Sequence, residues 1–280
     1  AGNGGFMINC QTTDVYSGVS VSSAGDVNAD GLADLIIGAL YADPNGEDRA
    51  GSSYVVFGTT DTTAIELSAV AAGSGGFIIN GQTEYDFSGR SVSSAGDVNG
   101  DGLADLIVGA YGADPNDERS AGSSYVVFGT TDTSAIELSA VSAGSGGFII
   151  NGQTTSDFSG RSVSSAGGVN GDGLADLIIG ANGADPNGDY SGSSYVVFGT
   201  TDTSAIELSA VAAGSGGFII NGQTTDDSSG FSVSSAGDVN GDGLADLIIG
   251  ALYADRIGED GAGRASADLG TTDTSAVDRS

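Results

Sequence analysis

The stretch AGDVNGDGLADLIIGA, Ala236–Ala251, joins an acidic, glycine-broken run to an apolar segment, and near-copies begin at Ala24, Ala95 and Ala166. Copies spaced by roughly seventy residues define a repeat protein, so the unit sets the architecture. The tripeptide GGF marks the same period at Gly4, Gly75, Gly146 and Gly216.

Outward from the acidic run, each unit reads as four short strands punctuated by Gly, Asn, Asp and Ser. In the second unit they are GRSVSSA (Gly89–Ala95), DLIVGA (Asp105–Ala110), SSYVVFG (Ser123–Gly129) and GGFIIN (Gly146–Asn151). The second and third are apolar on both faces and need cover on both sides. Small sheets arranged radially supply it, which predicts an all-β fold: a β-propeller, four blades of four antiparallel strands. The Ser/Gly/Ala-rich first strand suits the crowded place nearest the axis. The linker AIELSAVAAGS holds a helical turn at most, and no sustained 3.6-residue apolar period supports a helical solenoid.

The chain opens with a fourth strand, GGFMIN (Gly4–Asn9), so the last blade is expected to be closed by the N-terminal strand. A single propeller domain then spans 1–270, with repeats near 4–74, 75–145, 146–215 and 216–270 and a C-terminal tail at 271–280. The weak point is GRASADLG (Gly263–Gly270), which stands where other units carry SSYVVFG and lacks Tyr, both Val and Phe. A poorly formed blade and an excerpt of a longer array both account for it.

Acidic residues number 37 against seven arginines, with no lysine or histidine and a net charge of −30. Nucleic acid and anionic membranes need clustered cations, so neither is an expected partner. An acidic surface suits a cation-binding protein; adaptation to a salty habitat is the blander contributing reading. Cys10 is the single cysteine and replaces the glycine of the other copies, so no intramolecular disulfide forms. No run reaches membrane-span length, and direct membrane insertion is not expected.

By position the loop is D-x-N-x-D-G-x-x-D. The first copy offers Asp26, Asn28, Asp30, the Leu32 carbonyl and Asp34; the second offers Asp97, Asn99, Asp101, Leu103 and Asp105. The fourth offers Asp238, Asn240, Asp242, Leu244 and Asp246. Oxygen donors at alternate places turn toward one centre, and the glycine at the sixth place permits a sharp bend. Hard oxygen ligands without imidazole or thiolate favour Ca²⁺. An EF-hand is excluded, because its twelfth-position Glu is replaced by Ile37, Val108, Ile179 or Ile249 and the flanks read as strands. The third copy keeps Asn170, Asp172, Leu174 and Asp176 but has Gly168 in place of the first Asp. Three to four calcium ions are therefore expected, one per blade, with the third site weakened. The alternative is a set of Asp/Asn/Gly turns that bind nothing.

The loop plus DLIIGA, preceded by FSGRSV (Phe87–Val92, Phe158–Val163) and followed by SSYVVFG, resembles the FG-GAP repeat. That repeat builds the N-terminal β-propeller of integrin α subunits and occurs in bacterial surface proteins. The resemblance runs from Gly4 to about Gly250 and implies calcium at the matching aspartates and asparagines, and an extracellular or cell-surface location. Two departures stand out: Ser88 interrupts Phe87 and Gly89, and no proline follows GA. Integrin propellers have seven blades, so the resemblance supports blade type more than blade number.

The absence of histidine and lysine, with one cysteine, excludes Ser–His, Cys–His and Schiff-base chemistry. The remaining carboxylates outside the loops, in ADPNGED (Ala42–Asp48) and at Asp114 and Asp185, sit in ordinary turn sequence. Tyr54, Tyr125 and Tyr195 begin identical strands and are expected in the core. Tyr16, Tyr41, Tyr85, Tyr111, Tyr190 and Tyr253 fall in loops and are candidate rim contacts, and Arg90 and Arg161 match between two copies. The leading reading is a non-enzymatic calcium-binding scaffold for a protein or glycan ligand, expected as a monomer, with strand-swapped or multi-chain assembly open. A structural module without its own ligand is the alternative, and a carboxylate glycan hydrolase comes third.

Overall fold

In each unit the acidic loop ends where a strand begins, so its last aspartate is also the first residue of the apolar hexapeptide. The computed structural model describes residues 5–10, 13–255, 261–268, 270 and 277–278. The first unit comprises β1 (Ile8–Asn9), β2 (Ser20–Gly25), β3 (Asp34–Ala39), β4 (Ser52–Val56), β5 (Ile65–Glu66), α1 (Leu67–Ala71) and β6 (Gly76–Asn80). The second repeats this as β7 (Ser91–Gly96), β8 (Asp105–Ala110), β9 (Ser123–Val127), β10 (Ile136–Glu137), α2 (Leu138–Ser142) and β11 (Gly147–Asn151). The third follows with β12 (Ser162–Gly167), β13 (Asp176–Ala181), β14 (Ser193–Val197), β15 (Ile206–Glu207), α3 (Leu208–Ala212) and β16 (Gly217–Asn221). The last described elements are β17 (Ser229–Gly237), β18 (Asp246–Ala251), β19 (Arg264–Asp268) and β20 (Val277–Asp278).

Three sheets, in order β2-β3-β4-β6, β7-β8-β9-β11 and β12-β13-β14-β16, are the expected antiparallel blades. Each also gains a fifth, two-residue strand that sequence reading missed: β10, β15 and β20 lie parallel to β6, β11 and β16. These edge strands belong to the linker after the third strand, so one unit reaches back to its predecessor. Val277–Asp278, inside the stretch expected as a tail, takes this place against β16. An Asn–Glu clamp locks the joint, with Asn80 Nδ2 donating to Glu137 Oε1 at 2.7 Å and Asn151 Nδ2 to Glu207 Oε1 at 2.7 Å. The same linkers turn into the five-residue helices, whose Leu67/Val70, Leu138/Val141 and Leu208/Val211 are buried.

The apolar faces meet between blades. Ile36, Val55, Phe77 and Ile79 of the first blade pack on Val92, Leu106, Val108, Tyr125 and Val127 of the second, and the next joints repeat the pattern. Tyr125 and Tyr195 are buried as expected; Tyr54 is only half-buried. Glycine lets the blades approach: a Cβ on Gly109 would lie 1.9 Å from the Gly160 carbonyl oxygen. First strands lie side by side, joined by Val92 N to Ser20 Oγ at 3.1 Å and its successors.

Among the described residues the expected closure is not seen: the fourth blade is the three-stranded sheet β17-β18-β19, and β1 pairs in parallel with β5. β1 sits on β5 as β6 sits on β10, an arrangement that in the other blades leaves the opposite edge to the third strand, while β19 lacks the YVVF side chains that the other third strands carry.

Candidate functional site

Antiparallel order puts the four acidic loops at one end of the blades and the loops leaving the second and fourth strands at the other. At the acidic end the side chains fold back onto their own turn. Asp97 accepts from the backbone N–H of Gly100, Asp101 and Gly102 at 2.7, 3.1 and 2.9 Å. Asn99 Oδ1 accepts from Asp101 N at 2.8 Å, Asn99 Nδ2 donates to Asp101 Oδ2 at 3.0 Å, and Asp101 Oδ1 accepts from Leu103 N at 2.8 Å. Asp238, Asn240, Asp242 and Leu244 reproduce the set. Asp26, Asn28, Asp30 and Leu32 do likewise, with Asp30 and Gly31 as the amides on Asp26. In the third loop Asn170, Asp172 and Leu174 keep their bonds, and the amides facing Gly168 have no counterpart of Asp97. The Leu174 carbonyl lies 3.6 Å from where a Cβ at position 168 would stand, so the seventh-place oxygen faces the first-place side chain.

The ninth-place aspartates differ in kind. Asp34, Asp105, Asp176 and Asp246 are fully buried, and each accepts two backbone amides. Asp105 takes Val98 N at 2.8 Å and Gly129 N at 2.9 Å; Asp34 takes Val27 N at 2.9 Å and Gly58 N at 2.7 Å. Asp176 and Asp246 repeat the bridge with Gly199 and Gly270. Each carboxylate therefore ties the start of its loop to the end of the third strand. Burial pushes the Asp105 carboxyl up to about 6 and raises Asp34 and Asp176, against the lowering effect of those amides.

Gly58, Gly129, Gly199 and Gly270 were absent from the expected site. A Cβ on Gly129 would meet Leu103 Cβ at 2.6 Å and the Ala104 carbonyl oxygen at 2.7 Å. The available signal was Gly270, which persists in GRASADLG although its neighbours change.

The donor set of each loop is entirely oxygen, which fits a hard divalent cation and not a thiophilic one. Among the described residues no three acidic, cysteine or histidine side chains are already gathered on one point; the carboxylates are turned to loop amides.

At the other end the ADPN aspartates are turn-formers, as Asp43, Asp114 and Asp185 accept from Arg49, Ser120 and Tyr190 amides at 2.8, 2.6 and 2.6 Å. Here rings line up across neighbouring units. Tyr16–Tyr41, Tyr41–Phe87, Phe87–Tyr111 and Tyr111–Phe158 have centroids 5.0, 5.8, 5.3 and 6.3 Å apart. Arg49 stands over Tyr41 and Tyr85, and Arg161 over Tyr111 and Phe231. Two clefts of about 660 and 640 Å³ open along this row. Asp86 lies on the floor of the larger, buried and pushed up to about 7 by that burial; Asp157 is pushed up to about 6 in the same way.

Strand–acidic loop–strand blades repeated in this way define a β-propeller-type repeat protein. The family model for the FG-GAP repeat matches residues 17–56, 88–127, 159–197 and 229–267, and the chain belongs to that family. Its relatives include integrin α-5 of Xenopus laevis, 33% identical over 179 residues, which are 63% of this chain and 16% of that protein. Integrin α pat-2 of Caenorhabditis briggsae is 37% identical over 100 residues, 34% of this chain and 7% of that protein. Integrin α-V of Gallus gallus is 34% identical over 119 residues, 40% of this chain and 10% of that protein. The chain thus spans less than a fifth of the length of these integrin subunits. Among the described residues no helix is long and apolar enough to cross a membrane.

Proposed function

We propose that this chain is a non-enzymatic, extracellular or cell-surface adhesion scaffold, rigidified by calcium at the acidic end and recognising a protein ligand at the other. The ligand reading rests on one observation, the unbroken row of rings with arginines stacked on it. Aromatic and arginine side chains are the residue types that concentrate binding energy at protein interfaces. Carboxylates outnumber arginines in both clefts, with Glu84, Asp86 and Asp114 beside Arg119 in one and Asp14, Asp43 and Asp48 beside Arg49 in the other, which suits a basic side chain of the partner. Kinship with integrin α subunits points the same way.

For calcium, Asp97, Asn99, Asp101 and the Leu103 carbonyl, with their counterparts, are the proposed ligands. Asp105 and its counterparts close the shell from the strand side. The ion would supply charge neutralisation to carboxylates crowded into one turn. A hydrolase is disfavoured because Asp86, the cleft carboxyl with a shifted proton affinity, is buried and hydrogen-bonded to Thr83 instead of presented to a substrate.

The test is an array of purified extracellular and surface proteins probed with the parent chain and with Tyr111→Ser. A protein bound by the parent and lost with the variant supports the reading. No binding at all, or binding that the variant leaves intact, refutes it.

A further inference from the structure

We propose that the third acidic loop, Gly168–Asp176, takes a carboxylate side chain of a partner in the place that Asp26, Asp97 and Asp238 fill in the other loops. The inference rests on the calcium reading above and gives one of the four loops a binding role that the other three do not share.

The third loop is folded as its sisters are and lacks one side chain. Val169 N donates to Asp176 Oδ2 at 2.8 Å, as Val98 N donates to Asp105 Oδ2 at 2.8 Å. The Gly168 carbonyl receives Ala245 N at 3.1 Å, as the Asp97 carbonyl receives Ala175 N at 2.9 Å. In the second loop the Asp97 carboxylate gathers the N–H groups of Gly100, Asp101 and Gly102. In the third, Asp172 N still serves Asn170 Oδ1 at 2.9 Å, and no counterpart of Asp97 stands before Gly171 and Gly173. Their φ values of +73° and +96° match the +77° and +90° of Gly100 and Gly102. Successive N–H groups turned to one point form a concavity that binds an anion. The backbone is therefore set for a carboxylate that this stretch of sequence does not supply.

Space singles out the same loop. A cavity of about 510 Å³ opens there, lined by Gly168, Gly171 and Gly173, with Asp97 and Asp238 on its walls. A Cβ at position 168 would meet only the Leu174 carbonyl oxygen within 4 Å, at 3.6 Å, so no side chain blocks the way to the amides. The second and fourth loops stand on either side, and the opening belongs to an internal unit of the array.

Charge then decides when a carboxylate is accepted. With calcium bound, the first, second and fourth loops each set three carboxylates against the two charges of the ion and stay negative. The third sets only Asp172 and Asp176 against them and is neutral. Calcium takes about six to eight oxygen ligands, and this loop offers one fewer side-chain oxygen donor than its sisters. Without the ion, Asp97, Asp172 and Asp238 surround the cavity with negative charge and repel an anion. Carboxylate and calcium therefore strengthen one another, each by the same factor. One carboxylate about 4 Å from a divalent ion in water makes that factor about thirtyfold.

The experiment is amide NMR on the calcium-saturated 280-residue chain, titrated with the blocked tripeptide acetyl-Ala-Asp-Ala-amide. Shifts are expected at Gly171 and Gly173 and not at Gly100, Gly102, Gly241 or Gly243. The Asn analogue should give none, and removing calcium should weaken the response about thirtyfold. Gly168→Asp should abolish it, and Asp97→Gly should bring the same response to Gly100 and Gly102. A chain terminus carries the same group, so acetyl-Ala-Ala-Ala with a free C-terminus separates the two sources; tighter binding of that peptide overturns the side-chain reading. A response spread over all four loops, or one that Gly168→Asp retains, overturns the proposal. Calcium bound at the loops with no peptide response overturns this inference alone. No calcium bound at any loop overturns the calcium reading, and this inference with it.

Discussion

Replacing Gly168 by aspartate restores to the third loop the one side chain that distinguishes it from the other three. The site accepts the change: Gly168 is not in the left-handed region, and a Cβ there meets only the Leu174 carbonyl oxygen at 3.6 Å, ordinary contact. The new carboxylate reaches the amides of Gly171, Asp172 and Gly173, counterparts of those on Asp97 at 2.7–3.1 Å. Each such bond is worth about 0.5–1.5 kcal/mol net. Exposure and repulsion from Asp172 and Asp176 offset much of the sum, so without metal the gain should be about 1 kcal/mol. That corresponds to a rise in Tm of about 2–4 °C for a domain of this size. With calcium the effect is larger. Two unit charges 4 Å apart in water attract by about 1 kcal/mol, hence about 2 kcal/mol for a divalent ion. This is a gain of about thirtyfold in affinity at that loop. Calorimetric titration of parent and Gly168→Asp with calcium measures it directly, with Asp97→Gly as the converse variant. If Gly168→Asp changes neither the affinity nor the number of ions bound, these side chains are not the ligands.

The joint between Asp105 and Gly129 predicts that Gly129→Ala, whose Cβ would strike backbone and Leu103, costs about 1–3 kcal/mol in urea unfolding; an unchanged midpoint refutes the close packing. Glycine contrasts between blades are sharper. Gly109→Ala should prevent folding, because its Cβ meets the Gly160 carbonyl, whereas Gly250→Ala meets only the movable Ser232 Oγ and should lower Tm by a few degrees at most. Asp86 predicts a pH dependence. Its carboxyl holds a proton up to about 7 when folded and loses it near 3.8 when unfolded, so the folded state binds the extra proton between those values. Its contribution to stability is therefore present below about 4 and falls as pH rises to 7, by at most about 4 kcal/mol. The Tm of Asp86→Asn minus that of the parent should grow from pH 4 to 7 and stay level above; a difference that is flat throughout contradicts the burial argument.

The repeat, its strands and the acidic loop were legible in the residues alone, because each is a local matter. Gly and Asp places set the turn, and the run of apolar residues in DLIIGA and YVVF sets a strand covered on both faces. The third loop announced its difference through Gly168 in the same way. What depends on register between distant segments was not legible. Glu137 meets Asn80 and Gly129 meets Asp105 only once strands have paired, and the row Tyr41, Phe87, Tyr111 forms only when neighbouring units stack. The destination of the N-terminal strand belongs to the same class. Its sequence says that it is an outer strand, but any blade edge of this type satisfies that pattern. Only the tertiary structure shows that β5 holds it, because the parallel edge and the Asn9–Glu66 clamp form only when the linker of the first unit folds back beside it.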